Sequence, residues 1–184
     1  MGRPSNREAR RSEILAAFAR TLAEHGFAGA TIAAVAAQAG IAPGLVHHHF
    51  ESKAELMSCL VTELWRGSRE RLREQAGADE LHAYIDAMLA LGTRADSIAA
   101  RCWVGVFAEA IRSPALFAQM RSLIDAELGV IQRRSGGVFD AQAAGAVLAF
   151  VIGALVLGAF APRKTAGFAA PGLRRLVAAL RSGV

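Results

Sequence analysis

The run from Thr31 to Lys53, TIAAVAAQAGIAPGLVHHHFESK, leaves this chain few folds to choose from. It encodes two short helices, a tight turn between them and the start of a third helix. Ile32, Val35, Ala36 and Ala39 share one face at helical spacing, and Gly40 interrupts the run where the chain must reverse. After the turn Gly40-Ile41-Ala42, Pro43 suits the first position of a helix, where its fixed φ and missing N–H do no harm. Ile41 can staple onto Val46 across that start. Val46 and Phe50, four apart, then face inward, and Ala36 is small where the two helices must cross. Ser52 and Glu55 have capping-box spacing, so a longer helix begins there. This is the layout of a helix-turn-helix module that presents its second helix to the DNA major groove.

Turning that second helix about Val46 and Phe50, at about 100° per residue, points Gly44 and His48 outward, with Leu45 and His47 on the flanks and His49 leaning back toward the body. Lys53 falls in the first turn of the following helix, whose free N–H groups attract anions. Adjacent histidines on a helix point too far apart to close on one ion, so no metal site is expected at His47-His48-His49. Beside phosphates, imidazolium would be favoured, which makes the three histidines conditional cations. Arg3, Arg7, Arg10 and Arg11 can form a basic arm, with Arg10 and Arg11 at the start of the first helix. Thr31 can cap its helix or donate to a phosphate. The candidate DNA-contacting set is Arg10, Arg11, Thr31, Pro43, Gly44, Leu45, His47, His48, His49 and Lys53.

The gapless series Gly26, Thr31, Val35-Ala36, Ala39-Gly40-Ile41, Gly44, His48, Phe50, Lys53 and Leu56 resembles the N-terminal signature of the tetracycline-repressor family of bacterial transcription regulators. The resemblance implies an all-helical homodimer with a three-helix DNA-binding domain and a larger C-terminal domain that binds a small molecule and dimerises. Two positions depart from the pattern. Ala42 stands where the family usually has a capping Ser or Thr, a loss worth about 1 kcal/mol at the helix start. His47 and His49 stand where one or two Tyr are usual.

With 184 residues the chain can bury a sizeable core, and it is read as residues 1–53, the DNA-binding domain, followed by 54–184, the ligand-binding and dimerisation domain. Hydrophobic residues make up 53% and charged ones 20%, many of them Ala and Leu, without period-two alternation, so the class is all-α with about nine helices. A net charge of +5 is compatible with a polyanionic partner. Cys59 and Cys102 fall in apolar helical patterns and read as free buried thiols rather than redox sensors. The Arg-rich start lacks the apolar segment of a secretory signal, which points to a cytoplasmic location.

Ile14, Leu15, Phe18 and Leu22 mark a first helix ended by Gly26. Leu56 through Glu74 form a long linker helix, Gly77 to Asp79 break the pattern, and Leu81, Tyr84, Ile85, Met88 and Leu89 define the next helix. Ile98 to Ile111 is apolar on nearly every face and belongs inside a bundle. Ser113-Pro114 opens a helix running to Gly136-Gly137, and Trp103 to Leu116 weakly resembles the subgroup that includes the choline-responsive betaine regulators. Tyr84, Met88, Cys102, Trp103, Phe107, Glu109 and Met120 fall where the family keeps its effector cavity. A lone carboxylate on an apolar helix needs a partner, so Glu109 is the sharpest candidate, facing Arg101, Arg112 or a cationic ligand. The implied effector is small, apolar or cationic.

Ala143 to Ala161 carries no charge over a membrane-span length, with Gly145, Ala149 and Gly153 forming a small-residue ridge. A helix buried by its own bundle on one side and by a partner subunit on the other has the same composition. The family's last two helices form its dimer interface, which implies that role for Val147, Phe150, Val151, Ala154, Leu155 and Gly158, together with Leu173, Leu176, Val177 and Leu180 after a loop of residues 163–171. No nucleophile with a placed base, phosphate loop or ligand cluster is present, so neither enzyme chemistry nor a cofactor is expected. The sequence therefore points to a ligand-responsive regulator, a repressor that binds a double-stranded DNA operator as a homodimer and is released from it by a small apolar or cationic effector. Two alternatives stand beside it: a single-pass membrane-anchored regulator held by residues 143–161, and a helical ligand-binding protein without DNA binding.

Overall fold

Local signals set most helix ends. In the computed structural model, which describes residues 6–75 and 79–182, the first helix α1 (Asn6–Gly29) already includes Arg7, whereas Arg3 of the expected arm lies outside the described residues. Gly26 adopts φ 68° inside α1 and breaks it where the sequence placed the helix end. Thr31 Oγ1 accepts from Ala34 N–H and caps α2 (Ile32–Ala39). Gly40, at φ 68° and ψ 34°, closes α2 by donating to Ala36 and Ala37 carbonyls, a left-handed geometry that side chains with a Cβ resist. Then α3 (Pro43–His49) starts on Pro43, with no side-chain cap from Ala42.

Helix α4 (Lys53–Glu74) starts on Ser52, whose Oγ accepts from Glu55 N–H at 3.1 Å. The reciprocal half of the box is shifted by one residue, because Glu55 Oε2 accepts from Glu51 N–H. Gly77 and its neighbours 76 and 78 lie outside the described residues, and Asp79 then caps α5 (Glu80–Met88). Helix α6 (Arg94–Ala110) opens with a complete capping box between Thr93 and Asp96, and α7 (Pro114–Arg134) opens on Ser113-Pro114. Gly136 and Gly137, both at positive φ, turn the chain into α8 (Ala141–Phe160).

Helix α9 spans Pro162–Ser182, where a loop to Pro171 was expected. Pro162 turns the chain sharply and then begins the new helix at once. Pro171 is tolerated mid-helix because the carbonyl it deprives belongs to Gly167, and both residues are exposed to water.

Among the described residues there are nine helices and no strand. The head, α1 to α3, packs around Phe18, Val35, Ala36, Val46 and Phe50. Its core runs without a gap into Cys102 and Val106 of α6 and Leu116 and Met120 of α7. Gly105 explains the close approach of α1 and α6, because a Cβ there would lie 3.3 Å from Leu22. A second core lies around α5, α8 and α9, with Tyr84, Ile85, Ile131 and Leu173 fully buried.

Helix α8 is the one described helix long and apolar enough to cross a membrane, with a mean hydropathy of 2.4. It is instead two-sided. Val147, Val151, Ala154 and Gly158 point into the chain's own core, while Ala146, Ala149, Gly153 and Leu157 form an exposed stripe.

Candidate nucleic-acid interface and effector cavity

At the head, α3 carries an outward strip of Pro43, Gly44, His47 and His48, all exposed, with Leu45 half-buried at its flank. Val46, at 0% exposure, and Phe50, at 2%, anchor its other side. Thr31 is exposed at the start of α2, with its hydroxyl oxygen already used as a cap. Arg10 is paired with Glu13 one turn on and remains at the surface.

Three residues expected at the DNA surface face inward. His49 is buried, its ring packed edge-on to His48 at 5.1 Å, and its Nδ1 has no partner among the described residues. Burial, then His48 and the arginines Arg7, Arg11 and Arg10, hold its pKa below the usual imidazole value, which favours the neutral ring. Arg11 donates to the His49 carbonyl and to Glu55 Oε1, and its guanidinium lies 4.0 Å over the Phe50 ring. Lys53 Nζ donates to the Phe27 carbonyl at 2.7 Å and sits 4.0 Å over the Phe27 ring. Both cations therefore brace the head, Arg11 by tying α1 to the C-terminal end of α3 and Lys53 by tying α4 to the end of α1.

Between the head and the body lies a cavity of about 440 Å³. Tyr84, Met88, Cys102, Trp103, Phe107 and Met120 line it, as their positions on α5 to α7 required. Glu109 does not. It lines a smaller space with Phe27, Ser58 and Gln119, because α6 turns it away from the wall formed by Trp103 and Phe107. Three acids line the main cavity, Glu63 and Asp96, which are engaged by Arg66 and by the Thr93 cap, and Glu127 of α7, the buried one, which sequence reasoning missed. It occupies the buried stripe of that helix, one turn from Leu123 and from Ile131, which was the available signal. Tyr84 Oη donates to Glu127 Oε2 at 2.7 Å and Arg69 donates to Oε1. Desolvation first, and then the Glu127 charge, push the Tyr84 pKa far up, so the phenol stays a donor.

The cavity is closed on the head side by Leu15, Ala16, Ala19 and Arg20 of α1 and along its length by Leu60, Leu64 and Ser68 of α4. Cys102 Sγ donates to the Ala19 carbonyl at 3.3 Å, and burial pushes its pKa to about 12, which leaves it an unreactive thiol. Cys59 is half-buried beside Arg11, whose guanidinium lies 3.7 Å from its sulfur.

Of the residues expected at a partner interface, Val147, Val151, Ala154, Gly158, Leu173 and Val177 are buried within the chain. Gly158 is small because Leu91 packs against it, 3.2 Å from where a Cβ would stand. These six form the inner faces of α8 and α9. Phe150 and Leu155 are half-buried, and Leu176 and Leu180 are exposed. The other large apolar residues exposed on the pair are Leu157, Phe160 and Phe168.

Residues 14–58 match the family model of bacterial regulatory proteins, tetR family. The chain is 31% identical over 113 residues to the HTH-type transcriptional regulator BetI of Stenotrophomonas maltophilia, and 31% identical over 117 residues to BetI of Paraburkholderia phytofirmans. These alignments cover 58% and 60% of the chain and span 57% and 59% of the two relatives. A transcriptional regulator from Rhodococcus sp. Rha1 superposes over 94% of the chain and 96% of its own length, with a TM-score of 0.82 and 25% identity. A transcriptional regulator from Saccharomonospora viridis in complex with choline shares the fold at 18% identity, with a TM-score of 0.79 over 92% of the chain and 96% of its own length. The N-terminal module thus matches the model of the tetR family of bacterial regulatory proteins over residues 14–58, and the fold of the whole described chain is similar to that of solved transcriptional regulators.

Proposed function

We propose that the protein is a cytoplasmic, ligand-responsive DNA-binding regulator that acts as a homodimer and represses transcription until a small effector occupies the cavity. The observation that carries this reading is the position of that cavity. Its walls are shared by α1 of the reading head and by α4, the helix that begins at the head and continues into the body. An effector there contacts both, and any widening of the α1–α4 spacing tilts α3, because Arg11 of α1 holds the His49 carbonyl of α3 and Glu55 of α4 together. In a dimer, a small tilt moves two reading helices away from major grooves spaced about 34 Å apart, which favours the released state. The small, largely apolar character of the effector follows from the walls, and the reading rests on occupancy of the cavity rather than on head-group charge.

The dimer is assigned to the outer stripe of α8 and α9, from Ala149, Gly153 and Leu157 to Leu176 and Leu180. Burial of this stripe by a second copy accounts for an apolar helix whose outer face its own chain leaves open. The test is fluorescence anisotropy of the purified chain with DNA from upstream of its own gene at low and moderate salt. Tight, salt-sensitive binding that His48→Ala redirects among related sequences supports the reading. No binding at low salt would replace it with a helical ligand-binding protein that does not read DNA.

A further inference from the structure

The polar end of the cavity has a charge arrangement that selects a ligand. Glu127 is fully engaged there, accepting from Tyr84 on one oxygen and from Arg69 on the other, so its charge is already compensated. Arg71, two residues along α4 and also lining the cavity, is compensated by nothing of opposite charge. Its Nε donates to the Ala87 carbonyl at 3.0 Å and its Nη2 to Ser68 Oγ at 3.1 Å, both neutral acceptors, and no carboxylate among the described residues lies within ion-pair distance. A part-buried guanidinium supported only by dipoles is an anion site with one hydrogen-bonding edge left over. Most of the remaining wall is apolar, from Leu60 and Leu64 to Trp103 and Phe107; of the other charged lining residues, Glu63 is engaged by Arg66 and Asp96 by Thr93, and Arg20 adds a second cation on α1.

Resting on the effector reading above, we infer that the cavity takes a small hydrophobic monocarboxylate, with its carboxylate on Arg71 and its apolar body lying toward α1. This reverses the sign of the ligand charge that Glu109 suggested, since Glu109 lies outside the cavity and Glu127 is neutralised in place.

The test uses the full chain and three probes with one tail: octanoate, octanol and octyltrimethylammonium. Both tryptophans of the chain, Trp65 and Trp103, line the cavity, so intrinsic fluorescence reports occupancy and calorimetry gives the affinity. Octanoate should bind about tenfold more tightly than octanol, the scale of one charge-assisted contact, and the ammonium more weakly than either. Arg71→Gln should bring octanoate to parity with octanol while leaving octanol binding unchanged. Arg71→Lys, which keeps the charge and guards against a folding defect, should retain most of the preference. Equal binding of octanoate and octanol, tightest binding of the ammonium, or a preference untouched by Arg71→Gln would each overturn the inference. Operator release by the ammonium alone would sink it while leaving the regulator reading intact, whereas absence of operator binding would sink that reading and leave the carboxylate preference measurable.

Discussion

The guanidinium of Arg11 lies 4.0 Å above the ring of Phe50 while also donating to the carbonyl of His49, so one side chain of α1 clamps the C-terminal end of the reading helix. Its charge is met by Glu55, whose own pKa is lowered first by the Glu51 N–H and then by Arg11. Arg11→Leu keeps the apolar stem over Phe50 and removes every polar contact. It should lower stability by about 1–2 kcal/mol, the worth of a part-buried charged hydrogen bond and a cation–π contact. DNA affinity should fall equally for all sequences, with little change in the slope of log affinity against log salt. A slope that drops by about one would instead mark Arg11 as a phosphate contact.

His49 gives the head a pH dependence whose sign follows from its burial. Its folded-state pKa is depressed, by desolvation foremost, so the unfolded chain binds the proton more readily. The stability it contributes is present above the unfolded value of about 6.5 and is lost as the pH falls from there through the lowered folded value. Urea midpoints for the native chain should decline over that window more steeply than for His49→Phe, which cannot titrate. Parallel curves for the two proteins would show that His49 is solvated rather than packed.

The head was legible in the sequence because its signals are local. Gly40 at positive φ, Pro43 at a helix start and Ser52 as a cap each act within a few residues. The destinations of Arg11 and Lys53 were not legible, since each reaches a carbonyl 38 or 26 residues away and a surface cation and a bracing cation look alike in sequence. The same limit separates Glu109 from Glu127. Both are carboxylates on helices with apolar faces, and only the rotation of α6 and α7 within the bundle decides which faces the cavity. For α8, uniform apolarity concealed the inner and outer faces because nothing polar marked either one.

Tyr84 offers a direct optical check on the cavity, because it is the only tyrosine in the chain. Its raised pKa means that the folded state resists ionisation, so its contribution to stability is present below the unfolded value of 10.0 and is lost as the pH rises beyond it. The ultraviolet absorbance of tyrosinate should therefore stay flat past pH 10.0 and rise only with loss of helical circular dichroism. Glu127→Ala should cost about 2–3 kcal/mol by leaving the Tyr84 hydroxyl and Arg69 without their acceptor, and should move tyrosinate formation to lower pH. Tyrosinate appearing near its ordinary pKa in the folded native chain would contradict the buried Tyr84–Glu127 contact.

Two adjacent positions separate the inner from the outer surface of α9. Val177 is 0% exposed and packs into the chain's own core, whereas Leu176 is 50% exposed and lies one turn from Leu180, which is 45% exposed. Val177→Ala should lower stability by about 2 kcal/mol through the cavity it leaves, without altering the particle size. Leu176→Arg, alone or with Leu157→Arg, should leave the fold of each subunit intact by circular dichroism yet shift the sedimenting species toward the monomer, because a guanidinium on this face must lose its water on association. The double variant should also lose operator affinity steeply, since two reading heads bind as a linked pair only while the dimer holds. Sedimentation of the double variant as an unchanged dimer would place the contact between subunits on some other face.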